Sequence, residues 1–189
     1  MDEENQNEAA VQAVDADDDD EGETLELNEE ALIRLRRNDP EVSTLEVKFG
    51  RFDFGGEASF DASDIDWARD GDCIGENAHL KSLAIMKHGR CGNGQRAIEN
   101  IEGFYRAVSR NRSIKHLEMD ECPIKIGDMF EILLPFFEHN RNLRSFAIFN
   151  FDMDERSSRL FASAMSRCDE KSLREINFHC NGMDDESAA

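Results

Sequence analysis

Three groups of residues in this 189-residue chain have types and spacings that could do chemistry. The first is Gly92-Asn93-Gly94-Gln95-Arg96-Ala97, a G-x-G-x-x-A between a strand-like apolar run and a helical period. Glycines so placed let a backbone turn tightly onto a pyrophosphate at a helix N-terminus, and Asp120, at the end of the next strand-like run, stands where a ribose-binding acid would. Against this, six residues separate Ile85 from Gly92, where the fingerprint wants a tight turn. Gly89 to Gly94 has P-loop spacing but runs into Gln95-Arg96, without the phosphate-gripping lysine and the magnesium-binding hydroxyl. A loop joining two repeats accounts for the same residues. The second group is His79, His88, His116, His139 and His179, none in H-E-x-x-H, with no serine in G-x-S-x-G. His116 near Glu118 and Asp120 is compatible with acid–base work, but a solvated strand face is the preferred reading. The third is Cys73, Cys91, Cys122, Cys168 and Cys180, an odd set separated by 18, 31, 46 and 12 residues. With no C-x-x-C pair it reads as neither a disulfide framework nor a zinc site.

The elements that must position these residues repeat. Residues 111–122, NRSIKHLEMDEC, place Ile114, Leu117 and Met119 at the spacing L-x-x-L-x-L. The same pattern returns in DPEVSTLEV, NAHLKSLAI, NRNLRSFAI and EKSLREINF. The first apolar residues, Val42, Leu80, Ile114, Leu143 and Leu173, are offset by 38, 34, 29 and 30. A strand-plus-helix unit at this period buries its apolar face against its neighbours and stacks into a solenoid.

Charge divides the chain. Residues 1–23 hold eleven Asp and Glu and no Lys or Arg, eleven of the twenty net negative charges. Such a segment has too little apolar surface to offset the entropy of ordering. The reading is an acidic disordered tail over 1–26, a repeat domain over 27–183 and a second acidic tail over 184–189. The repeat region is acidic too, which argues against direct binding of nucleic acid or anionic membrane. The N-terminus lacks the basic and apolar regions of a secretory signal, and the longest apolar run, 132–137, is six residues and contains Pro135. These features read as a soluble chain of the cytoplasm or nucleus.

In chain order, residues 28–39 predict a helix with Asn28 as N-cap and Ala31, Leu32 and Leu35 inward, read as the cap of the solenoid's first end. Strands are expected at 42–47, 80–85, 114–119, 143–148 and 173–178. Between the first two, Ser63 caps a helix over 64–75 with Trp67, Ala68 and Ile74 inward, leaving 50–62 as an insertion loop. Ala97, Ile98, Ile101, Phe104, Tyr105 and Val108 follow a helical period. Met129, Phe130, Leu133, Phe136 and Phe137 form the next inward face, in a helix that Pro135 should kink or break. Leu160, Phe161, Ala164, Met165 and Cys168 form the last.

The pattern N-x-x-L-[KR]-x-L-x-[IM], with Cys122 and Asn181 three residues past their strands, resembles leucine-rich repeats of the ribonuclease-inhibitor-like type over residues 29–183. The resemblance implies an α/β solenoid of about five strand–helix units, with a parallel sheet on the concave face and helices on the convex face. It implies a protein-binding scaffold without shared chemistry. In that family the Cys or Asn position hydrogen-bonds into the turn leaving the strand; Cys122 and Asn181 match it, while His88 and Phe151 occupy it in the second and fourth units.

Strand alternation then predicts three concave columns. They are Thr44, Ser82, His116, Ser145 and Glu175; Glu46, Ala84, Glu118, Ala147 and Asn177; and Lys48, Met86, Asp120, Phe149 and His179. Met86, His116, Glu118, Asp120, Ser145, Phe149, Glu175, Asn177 and His179 are the candidate partner-binding residues, with Met86 and Phe149 as apolar anchors. A basic ladder, Lys81, Lys115, Arg144 and Arg174, reads either as a grip for an acidic partner or as caps on the negative ends of the helices. No catalytic residue, metal or cofactor is assigned. The function read here is a non-enzymatic adaptor whose concave face binds a protein, a basic one if the acidic tail contributes; the alternative is a nucleotide-binding α/β enzyme using the turn at 92–97. A histone-type chaperone would rest on composition alone. The fifth strand has no evident cap, and Asp184, Asp185 and Glu186 are read as charged gatekeepers that keep the chain a monomer at low salt.

Removing residues 1–23 should leave unfolding free energy within about 0.5 kcal/mol of the full chain, since nothing in the tail can pack. Strong hydrogen-exchange protection within residues 1–20 would contradict this.

Overall fold

The computed structural model describes residues 23–49, 66–87, 95–121, 124–169, 172–179 and 182–183. The expectations placed on residues 1–22, 50–63, 88–94 and 184–186, and on Cys122, Cys180 and Asn181, lie outside these residues.

Five helices alternate with strands along the chain. In order, these are β1 (Thr24–Glu26), α1 (Glu29–Arg36), β2 (Thr44–Phe49), α2 (Trp67–Glu76), β3 (Ser82–Lys87), α3 (Gln95–Val108) and β4 (His116–Asp120). They are followed by α4 (Ile126–His139), β5 (Ser145–Phe149), β6 (Asp152–Met153), α5 (Glu155–Met165), β7 (Glu175–His179) and β8 (Gly182–Met183). Six strands make one parallel sheet in the order β1-β2-β3-β4-β5-β7, and β6 and β8 pair separately. Successive strands are neighbours because the helix between them returns the chain to the same edge, as a repeated strand–helix unit requires.

Each of the five expected strands begins two residues later than its first apolar residue suggests, and for β3, β4 and β5 a buried asparagine explains the delay. Asn77 Oδ1 accepts from the amides of His79 and Leu80, at 2.8 and 2.7 Å. Asn111 Oδ1 accepts from Ser113 and Ile114, at 2.8 and 3.0 Å, and Asn140 Oδ1 from Asn142 at 2.8 Å. These amides turn the chain instead of joining the ladder. The same side chains reach back one unit: Asn77 Nδ2 donates to the Leu35 carbonyl, Asn111 Nδ2 to those of Ile74 and Asn77, and Asn140 Nδ2 to that of Ile114. All three asparagines are at most 3% exposed. Asp39 takes the place in the first unit, accepting from the Glu41 amide and from Arg34 Nε; the Arg34 guanidinium holds its carboxyl below the usual range.

Inward-facing residues of the strands form continuous rows. Leu45, Leu83, Leu117 and Phe146 are in register, as are Val47, Ile85, Met119 and Ile148, and all are essentially buried. The helices cover these rows with the residues expected of α1, α3 and α4. Gly71 and Gly75 bring α2 against α3, where a Cβ at Gly75 would lie 2.2 Å from the Ala107 carbonyl oxygen. Phe49, Trp67 and Phe104 fill the space beneath, with the Phe49 ring 4.6 Å from Trp67 and 5.1 Å from Phe104.

Several expectations change. Thr24–Glu26, assigned to the tail, pair with β2 through Thr24–Thr44, Leu25–Leu45 and Glu26–Glu46. Among the described residues the sheet therefore begins at β1, with α1 between β1 and β2. A three-residue strand with one apolar residue is too short to show a period. The cap of α2 is Asp66, whose Oδ1 accepts from the Arg69 amide at 3.1 Å. α4 runs unbroken through Pro135. Pro135 and Glu131, whose carbonyl loses its usual donor, are both exposed, so water can take the place of the missing amide. Leu160, Phe161 and Met165 of α5, and Cys168 just after it, are half-buried instead of buried; among the described helices α4 is the one that packs beside α5.

Asn111→Ala should cost about 2–5 kcal/mol in chemical denaturation, because it leaves buried carbonyls and amides unpaired. Leu117→Ala should cost a similar amount, about 2–5 kcal/mol, through the cavity it opens. An Asn111→Ala protein with the parent's midpoint would show that the asparagines do not hold the units together.

Candidate functional site

One face of the sheet packs on helices, leaving the other face uncovered by any described helix. Alternation puts every second side chain on this open face, and the parallel register aligns them across strands. Thr44, Ser82, His116, Ser145 and Glu175 stand in one row. Glu46, Ala84, Glu118, Ala147 and Asn177 form the second, and Lys48, Met86, Asp120, Phe149 and His179 the third. β1 extends the first two rows with Thr24 and Glu26. These two were missed in the sequence: T-L-E at 24–26 repeats T-L-E at 44–46, but a match of three residues is too short to predict a strand by itself.

The rows are not chemically uniform. Lys48 Nζ bridges Glu26 Oε2 at 3.2 Å and Glu46 Oε2 at 3.1 Å, and the bonds to Glu46 and Glu26 raise its pKa. Asp120 Oδ1 accepts from Asn150 Nδ2 at 2.6 Å, where Asn150 leaves β5 with a left-handed φ of 58°. His116 Nδ1 lies 2.8 Å from Ser145 Oγ, a bond that joins neighbouring strands. Glu118 sits between Ala84 and Ala147, whose small side chains leave its carboxyl open to a partner. Partial desolvation, then the nearby charges of Asp120 and Glu46, push its pKa up. Met86 and Phe149 are half-buried, so they present partial apolar surface instead of fully exposed anchors.

The basic ladder marks the residue just before each strand. The carbonyls of Ser43, Lys81, Lys115 and Arg144 each accept from two amides of the next unit, those of Lys81 and Ser82, Lys115 and His116, Arg144 and Ser145, and Arg174 and Glu175. Of the carbonyls at the ends of α2, α3 and α4, that of Ile74 accepts from the Asn77 amide and Asn111 Nδ2, that of Ser109 from Arg112 Nη1, and that of Phe136 from the Asn140 amide. Of the dinucleotide-like turn, Gln95 and Ala97 lie in the first turn of α3, with Ala97 buried. Cys168 is a poor nucleophile, its thiol pushed up to about 11 by burial. Among the described residues no group of three or more His, Cys, Asp or Glu could hold a metal ion, and no helix is long and apolar enough to cross a membrane.

No protein-family profile matches this chain, and no curated protein matches it. Among solved structures it is similar to the Actin-Binding Site 2 domain of Leiomodin-1, with a TM-score of 0.55 and 18% identity over 79% of this chain and 78% of that one. A sugar phosphate isomerase/epimerase from Parabacteroides distasonis aligns with a TM-score of 0.23 and 10% identity over 82% of this chain and 68% of that one, too distant to inform the fold. The chain therefore shares with the Leiomodin-1 domain an α/β fold in which strands of one parallel sheet alternate with helices.

Glu118 has a folded pKa above its unfolded value, so its ionisation opposes folding. That penalty is absent below the unfolded pKa, near the ordinary glutamate value, and is complete above the folded one. Glu118→Gln should accordingly raise the melting temperature at pH 7.5, with the gain shrinking as pH falls toward about 4.5. A variant less stable than the parent at pH 7.5 would contradict the assignment.

Proposed function

We propose that this chain is a non-enzymatic scaffold, a leucine-rich-repeat solenoid of the ribonuclease-inhibitor-like type whose open sheet face is concave and binds a basic protein segment. The observation that carries this reading is the set of register-aligned rows on a face without helices, where Glu118 and Asp120 stand on the central strand β4 and Lys48 is already paired with two glutamates. Rigid strands hold these side chains in fixed positions, which favours recognition of a shaped partner. Met86, His116, Ser145, Phe149, Glu175, Asn177 and His179 would complete the contact surface. The acidic residues 1–23 would add long-range attraction and speed encounter. The Leiomodin-1 domain supports a protein-binding reading through shared fold only; actin enters as one defined probe on that ground.

The test is affinity capture with the parent chain, a Glu118→Lys/Asp120→Lys variant and a chain lacking residues 1–23. A partner should be retained by the parent, weakened about tenfold or more by the double substitution, and released by rising salt. Equal retention by parent and double variant would move the binding surface off the open face. The nucleotide-enzyme alternative separates cleanly from this reading. Millimolar NAD(P) or ATP should leave the melting temperature unchanged, whereas ligand at a thousandfold excess over its dissociation constant would add about 4 kcal/mol.

A further inference from the structure

β7 has a neighbour on one side. It pairs with β5, while residues 182–183 return to β6 in the separate two-stranded sheet, so among the described residues nothing pairs with its outer edge. The consequence is visible in one row: Leu45, Leu83, Leu117 and Phe146 are at most 1% exposed, and the next member, Ile176, is 44% exposed. Phe178, in the adjacent row, is half-buried against Phe161 of α5, with ring centroids 4.6 Å apart. The other edge of the sheet differs: β1 is three residues long, and both acids at its ends are ion-paired, Glu23 with Arg34 and Glu26 with Lys48. Short, charged edges of that kind resist strand pairing.

We propose that the outer edge of β7 docks a second copy of this chain, β7 against β7, antiparallel about a two-fold axis through Asn177. This surface is separate from the open face and the inference goes beyond the scaffold reading. The Glu175 amide donates to the Arg144 carbonyl at 3.1 Å, toward β5. Alternation along the strand then turns the amide and carbonyl groups of Ile176 and Phe178 outward. Centring an antiparallel pair on Asn177 sets Ile176 of one copy opposite Phe178 of the other, a hydrogen-bonded pair that exchanges two backbone bonds and occurs twice by symmetry. That register covers Ile176 with an apolar partner. It also brings the two Asn177 residues together on the axis as a non-hydrogen-bonded pair. A β7–β1 contact would instead bring the strand against Glu23 and Glu26 and would generate an open-ended chain. The net charge of −20 on each copy opposes association at low ionic strength. Screening removes that opposition, the Debye length falling from about 14 Å at 50 mM to about 4 Å at 500 mM salt.

Light scattering on the full chain at about 100 μM should give a monomer at 50 mM salt and a dimer at 500 mM. Ile176→Lys should remain monomeric at both while melting within a few degrees of the parent. Asn177→Cys lies on the axis, where Cα atoms of a non-hydrogen-bonded pair are about 4.5 Å apart, inside disulfide range. Under mild oxidation at 500 mM salt it should cross-link into a dimer, and the parent under identical oxidation should not. A parent that stays monomeric at 500 mM salt would overturn the proposal and assign the edge to a strand from another protein or from a further repeat. A dimer indifferent to Ile176→Lys, or one in which Asn177→Cys cross-links no more than the parent, would overturn the two-fold β7 pairing.

Discussion

The structure depends on one interaction repeated along its length, a buried asparagine at the turn between helix and strand. An amide side chain suits this position because it carries an acceptor and two donors on a short stem. At Asn111 the acceptor closes its own turn through Ser113 and Ile114, and the donors reach the carbonyls of Ile74 and Asn77 in the unit before. Each such residue settles where its strand begins and how far it lies from its predecessor. Asp39, at the partly exposed first unit, can close its turn and can be charged because Arg34 stands beside it.

With spacing settled, the helical layer must fit the pitch of the sheet. Gly71 and Gly75 answer this at the α2–α3 crossing, where any side chain would meet the backbone of Phe104 or Ala107. Where helices have neighbours on both sides their inward faces are largely sealed; α5, with α4 alone beside it among the described helices, leaves its apolar residues partly open. The same shortage of neighbours exposes Ile176 on the sheet. Packing in such an array is a matter of adjacent units, so partial exposure at α5 and β7 leaves the interior rows intact.

The open face inherits its geometry from the buried one. Since Leu117 and Met119 point inward from β4, His116, Glu118 and Asp120 must point outward, and the parallel register carries that alternation across the sheet. Lys48 compensates the acids at the β1–β2 end, while partial burial, and after it the charges of Asp120 and Glu46, raise the Glu118 pKa. The likeness to the Leiomodin-1 domain extends to fold, and any role must be argued from these side chains.

Periodicity in the sequence was sufficient to determine the α/β repeat, the inward residues of most helices and the membership of the three open-face rows, because strand alternation and helical period are local properties of the chain. The Asn at the start of each N-x-x-L pattern was visible, but its bonds to the preceding unit were not, since they join residues more than twenty positions apart. Only the tertiary structure decided that Thr24–Glu26 form a sixth strand, that α4 continues through Pro135, and that Met86 and Phe149 are half-buried. In each case the deciding partner comes from elsewhere in the chain or from solvent: β2 supplies the ladder for a segment too short to be periodic, and packing of Leu133, Phe136 and Phe137 holds the helix on both sides of its proline. Burial of Met86 and Phe149 likewise depends on neighbouring strands, a distance that no local pattern encodes.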